Sequence, residues 1–328
     1  MIFVMILIGG LTRLTGSGLS IVEWQPIMGI LPPLSEVDWN LLFQKYQTSP
    51  EYSKINMGMT LVEFKEIFWL EYIHRVWGRL LGLVLAIPLV MSFMKTELKS
   101  YRLPLLSLAL LIGAQGFMGW YMVKSGLIDN PHVSPYRLTA HLLLGILILG
   151  TSFWVAVKTT SPQHDFVGFS KTLIKKISLT SLLLMCCVLL TLVYGGLVAG
   201  HKAGLIYNTY PLMGDRLLPS ELLFLDPIWK NLIANAATVQ FIHRWLGTIT
   251  ATCVVILCLY FWNAEVPNKI RILIRLTFGM AILQFALGLF TLLLMVPTHI
   301  ALVHQGGALL LFLLVLALAL KTIPIWKR

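Results

Sequence analysis

Residues 71–78 read EYIHRVWG and residues 240–247 read QFIHRWLG. Each octet carries a histidine at its fourth place, an arginine next and a glycine four residues past the histidine, so the chain repeats itself. Each also opens or sits within an apolar run, 67–94 for the first and 239–262 for the second. Five more runs, 103–123, 138–157, 177–199, 276–296 and 300–320, have the length of about 20 residues that a bilayer core demands of a helix. At the start of the chain only about a dozen apolar residues precede Arg13, short for a span. That run reads as a first helix whose beginning lies outside the chain; a cleaved signal peptide would need a basic segment ahead of it. Of the 328 residues 57% are hydrophobic and 12% charged, against roughly 25% charged in soluble domains, and mean hydropathy is +0.82. The expected fold is an all-α polytopic membrane protein of about eight transmembrane helices.

The repeat organises those helices. His141 follows His74 by 67 residues and His304 follows His243 by 61. The long outside loops echo each other too, PIMGILP at 26–32 and PLMGDRLLP at 211–219. Two pseudo-symmetric four-helix bundles result, 1–160 and 161–328, divided in the connection 158–176. Four spans per half give both halves one orientation, which predicts an axis along the membrane normal. Loop 15–66 is too long for a plain connector. Its Trp24, Trp39, Leu41, Leu42, Phe43 and Tyr46 suggest short helices lying on the membrane surface.

The net charge of +11 would suit nucleic acid were it not for its distribution. Connections after even-numbered spans, with the C-terminal tail, hold 13 of the 25 Lys and Arg in 48 residues; those on the other side hold 8 in 108. Cytoplasmic loops gather basic residues, so both termini are expected in the cytoplasm and no nucleic-acid partner is implied. Cys186, Cys187, Cys253 and Cys258 all lie in apolar runs, which argues against a disulfide framework.

His74, His141, His243 and His304 lie in the opening turns of the even-numbered spans, and therefore at one depth near the outer surface. Imidazole is a common metal ligand, and haem iron takes axial histidines. Pairing within halves gives His74 with His141 and His243 with His304, each pair placed to hold a haem. One turn past each histidine, on its face, stand Gly78, Gly145, Gly247 and Ala308, small enough to leave room for a porphyrin. His132, His164, His201 and His299 read as loop or interfacial residues. Glu71 shares a helix side with His74, whereas the matching residue is Gln240. A carboxylate at membrane depth is a functional candidate, able to move a proton or to stabilise positive charge; the plainer reading pairs it with Arg75. Arg75 and Arg244 would meet haem propionates or snorkel to headgroups.

Residues 9–26 (GGLTRLTGSGLSIVEWQP), 71–78 and 241–244 (FIHR) closely resemble haem A synthase of the bacterial and mitochondrial type, a likeness that covers almost the whole chain. The resemblance implies oxidation of the C8 methyl of haem O to a formyl group by successive hydroxylations, giving haem A for cytochrome oxidase. It implies that His74 and His141 hold the substrate haem with Glu71 as the acidic residue of that site, and that His243 and His304 ligate a resident haem b. Haem O synthase is the implied upstream partner, with an electron donor, membrane lipids and further copies of the chain as others, in a bacterial inner membrane. Part of the family carries a cysteine pair in the first outside loop; 15–66 has none, which resembles the cysteine-free branch. The alternative is a dihaem b-type electron-transfer subunit without chemistry of its own. It explains four histidines equally well but not the Glu71/Gln240 difference. A cofactor transporter ranks below both, since nothing here resembles broken helices facing a substrate.

Overall fold

The apolar runs form long helices, as the bilayer requires: a span must satisfy its backbone hydrogen bonds internally. A computed structural model describes residues 1–25, 28–128, 131–160 and 168–326, and among these the regular structure is helical throughout. The helices are α1 (Ile2–Leu14), α2 (Glu36–Gln47), α3 (Pro50–Lys54), α4 (Leu61–Met94), α5 (Arg102–Lys124), α6 (Pro135–Thr160), α7 (Lys171–Gly200), α8 (Asn231–Ala234), α9 (Ala236–Tyr260), α10 (Asn268–Leu293) and α11 (Thr298–Trp326). Seven of them, α4 to α7 and α9 to α11, are long and apolar enough to cross a membrane. Helix α1 is apolar but has 13 residues, roughly 20 Å of axis. The chain is a polytopic all-α membrane protein. It divides into two compact units, Met1–Leu149 and Gly150–Arg328. Residues 26–27, within the repeated loop motif, and His164 lie outside the described residues.

In the first unit α4 packs on both α1 and α5. It starts at Leu61, two turns earlier than hydropathy alone predicts, because Thr60 caps it: Thr60 Oγ1 accepts from Glu63 N–H, and the Glu63 carboxylate accepts from Thr60 N–H. His74 is consequently the fourteenth residue of its helix rather than in an opening turn, unlike His141, His243 and His304, which sit seven or eight residues into theirs. The added turns are the platform for the long loop. Trp39 and Tyr46 of α2 pack with Phe64 and Phe68 of α4 into a small aromatic core, all four buried. The expected surface helices exist as α2 and α3, but Trp39 and Tyr46 face α4. Burial and the neighbouring Glu51 push the Tyr46 hydroxyl well above its ordinary pKa; that hydroxyl donates to Glu51 at 3.0 Å.

In the second unit α7, α9, α10 and α11 pack against one another, and the loop before α9 is pinned by Asn231, which is buried and bonded to Leu225 and Ile228. Tyr207 of the loop after α7 donates to Glu221 at 2.5 Å, and that bond holds the Glu221 carboxyl below its usual range. The contact is therefore complete above the normal carboxylate pKa and is lost only as pH falls through the lowered value.

Candidate functional site

Each of the four histidine rings lies against a glycine of the apolar helix that precedes its own. A methyl group built on Gly9 of α1 would come within 2.9 Å of His74 Nε2; on Gly119 of α5, within 3.3 Å of His141 Cε1; on Gly195 of α7, within 3.2 Å of His243 Cε1; on Gly288 of α10, within 2.8 Å of His304 Cε1. Glycine at these points lets backbone and ring meet, so the neighbouring helix fixes the plane of each imidazole. His74 and His141 are close enough to interact electrostatically within the first unit, as are His243 and His304 within the second. All four are half-buried.

Hydrogen bonds orient three of the rings. His243 Nδ1–H donates to the Thr191 carbonyl at 3.2 Å, which leaves Nε2 with its lone pair outward, the form that binds a metal. Gln115 and Gln284 occupy one position in the two units, four residues before the facing glycines. Gln115 Nε2 donates to the His141 carbonyl at 3.1 Å and lies 3.4 Å from its Nε2. Gln284 Nε2 donates to the His304 carbonyl at 3.0 Å and to His304 Nδ1 at 3.0 Å, while both glutamine Oε1 atoms and His141 Nδ1 are buried with no partner.

The small residues one turn past the histidines divide. A methyl on Gly247 would meet nothing within 4 Å, whereas on Gly78 it would meet Met5 Cε at 3.3 Å and on Gly145 the Gln115 amide at 3.4 Å. Gly247 therefore borders open space, and Gly78 and Gly145 are spent largely on helix packing.

Glu71 is buried, and everything around its carboxylate donates. Ser20 Oγ–H and Ile21 N–H reach Oε2 at 2.7 and 2.8 Å; Arg75 Nε and Nη2 reach Oε1 at 3.1 and 2.6 Å. Arg75 also donates to the carbonyls of Ile21 and Glu23 and stacks over Trp24. Gln240 takes the same place in the second unit: buried, its Nε2 donates to the Tyr207 carbonyl at 2.9 Å. Arg244, like Arg75, reaches back to the preceding loop, to the carbonyls of Thr209 and Leu212, and keeps Nη1 buried without a partner. Both arginines thus tether loops, a use that neither sequence reading of them included. The four cysteines are free and lie on α7 and α9, so "cysteine-free" describes loop 15–66 and not the chain. His201 bonds the Ile233 carbonyl at 2.8 Å. Among the described residues no three His, Cys, Asp or Glu side chains gather as a metal cluster.

The pattern that could have revealed the glycines is in the repeat itself. Gly9-Gly10-Leu11 recurs as Gly195-Gly196-Leu197, and Gln115 with Gly119 recurs as Gln284 with Gly288 at the same 169-residue offset as His74 and His243.

Fold and site together define a polytopic helical membrane protein that presents a pair of imidazoles in each of two units. The profile of the COX15-CtaA family, described as cytochrome oxidase assembly protein, matches residues 1–316. The chain is 47% identical over 313 residues to a protein of Nitrosospira multiformis named heme A synthase (95% of this chain, 87% of that one). Proteins of the same name from Paramagnetospirillum magneticum (47% over 327 residues; 96% and 89%) and Wolbachia pipientis (42% over 314 residues; 95% and 87%) are similar along the same length. No solved structure matches. The chain belongs to the COX15-CtaA family.

Proposed function

We propose that the chain is a haem A synthase, an oxidoreductase that converts the C8 methyl of haem O to a formyl group by successive hydroxylations, the resulting geminal diol losing water. The observation that carries the reading is the set of four imidazoles, two per unit, each laid against a glycine and left without a third protein ligand. That donor set suits an iron already held in the plane of a macrocycle. The open space beside Gly247 fits a haem in the second unit, and the unpartnered His141 Nδ1 fits a ligand to one in the first.

In this reading His74 and His141 hold the substrate haem and His243 and His304 hold haem b. Bound haem iron supplies the redox chemistry. The chain orients. Glu71 and Arg75 lock residues 20–23 over the first site and keep its outer end in one conformation; the Glu71 charge, present in one unit only, lies three residues from a ligand. Arg244 Nη1 is a donor left over for a propionate, and Arg75 meets one only by sharing. The loop charges support both termini in the cytoplasm and the haem sites near the outer face, and the bacterial relatives support a bacterial inner membrane. Haem O synthase as supplier of substrate, a separate electron donor, a homo-oligomer and membership of the branch without loop cysteines complete the proposal.

Pigment extracted from the purified protein tests it. A synthase should carry haem b with variable haem O or haem A. Haem b alone would instead make this an electron-transfer subunit. The glycines give a second test. Gly288→Ala should push the His304 ring aside and lower the Soret absorbance of the second unit's haem several-fold, a contact of 2.8 Å being too short for a real side chain. Gly247→Leu touches no protein atom within reach of its first carbon, so a loss of haem loading there would show that the porphyrin fills that space; full loading would place it elsewhere.

A further inference from the structure

Inside the first unit, between α4 and α5, lies an apolar cavity of about 150 Å³ lined by Gly82, Leu85, Ala86, Leu89, Ala109 and Ile112. It lies further along α4 on the ridge that carries His74. On α4, His74, Gly78, Gly82 and Ala86 follow at four-residue steps and so share a ridge. Gly82 lies roughly 12 Å along the axis from His74, at 1.5 Å per residue. On α5, Ile112 stands one turn below Gln115, whose amide touches His141 and whose Oε1 has no partner. A methyl added to Gly82, Gly113 or Gly116 would meet nothing within 4 Å.

The matching places in the second unit are more deeply buried. The 169-residue offset puts Ala251, Val254, Val255, Cys258, Phe278 and Ala281 there. Three are bulkier and three slimmer, yet the packing is tighter: Val254, Cys258 and Ala281 are buried, where Leu85, Leu89 and Ile112 keep exposed surface. Gly113 and Gly116 become Ile282 and Phe285. Below its histidine α4 buries Ser92 alone among the described residues, while α9 buries Thr250, Val254 and Cys258.

We propose that this cavity receives the near end of the isoprenoid tail of the substrate haem. The inference rests on the first unit being the substrate-haem site and adds where the tail goes. Haem O differs from haem b by that tail, and the two units, alike in their ligands, differ in how far these positions are buried. Lipid is as apolar as the cavity, so the tail gains little hydrophobic free energy by leaving the bilayer. What the groove contributes is packing and choice of face. A porphyrin turned over between the same two histidines would send its tail away from α4 and α5, and a different methyl would be presented for oxidation.

The test uses the full-length protein carrying Ala86→Cys, a small change at an exposed position. Alkylation of the introduced thiol by a membrane-permeant maleimide is followed by peptide mass mapping with haem O, with protohaem, or with neither. Haem O should slow labelling about tenfold, as burial of most of a ligand's surface in a pocket implies, and protohaem should leave it unchanged. Equal rates in all three would make this a lipid-filled groove and overturn the inference. Independently, Ala109→Phe, which copies Phe278, should weaken haem O binding in a Soret titration by about tenfold relative to protohaem, on the scale of overpacking. An unchanged ratio would overturn it as well. If haem O neither protects the introduced thiol nor loses affinity while haem A still forms, the groove assignment alone falls; a wild-type protein that takes up no haem O overturns the functional reading too.

Discussion

Glu71→Gln should stop haem A formation while the haem b signal persists. The exchange is nearly isosteric, but the surroundings make it severe. Ser20 Oγ–H, Ile21 N–H and two nitrogens of Arg75 all donate to the carboxylate. An amide NH₂ set among donors has no acceptor, and Arg75 loses its counter-charge inside the protein, its side chain being 12% exposed. Breaking a buried pair from one side costs about 3–5 kcal/mol, enough to release residues 20–23 from α4. In the second unit the same amide at Gln240 has an acceptor for its NH₂, the Tyr207 carbonyl, which Glu71's surroundings would not offer. Haem A by chromatography of extracted pigment, haem b by its absorbance, and protease sensitivity of the loop after α1 are the readouts. Full haem A production would remove Glu71 from the mechanism. A loosened loop with normal product would reduce it to a clamp.

His243→Ala should deplete haem b by more than about tenfold, since even partners of metal ligands are worth 10–100-fold in affinity. His304 would remain in place, held by Gln284 and Gly288, but one imidazole would have to do the work of two. The first unit keeps its own histidines and aromatic core, so haem O should still bind and should accumulate unconverted for want of electrons. An unchanged haem b spectrum in this variant would show that the pairing is wrong.

The seven long apolar helices and the short α1 were legible because each leaves a local mark, a run of apolar residues, and the two octets because they are a motif said twice. Two things were not. The start of α4 was hidden because Glu63, Lys65 and Glu66 make its first turns polar, although the Thr60/Glu63 capping box announced it. The rings' true neighbours were hidden because periodicity fixes which residues share a helix face, not which face of the next helix meets them. Hence the glycines one turn past the histidines drew notice, while Gly9, Gly119, Gly195 and Gly288 did the holding. Glu71 stood out as a charge at membrane depth; that Ser20 and Ile21, half a hundred residues earlier, would close over it could be seen only after folding.

Since every imidazole is steadied by the apolar helix just before it, the unit of construction is the consecutive pair: α1 with α4, α5 with α6, α7 with α9, α10 with α11. Such a pair can enter the bilayer with its ligand already aimed, before the rest of the chain has been made. If two such pairs close around one macrocycle, as proposed above, binding the iron becomes the last fastening of each half rather than an event inside a finished cage.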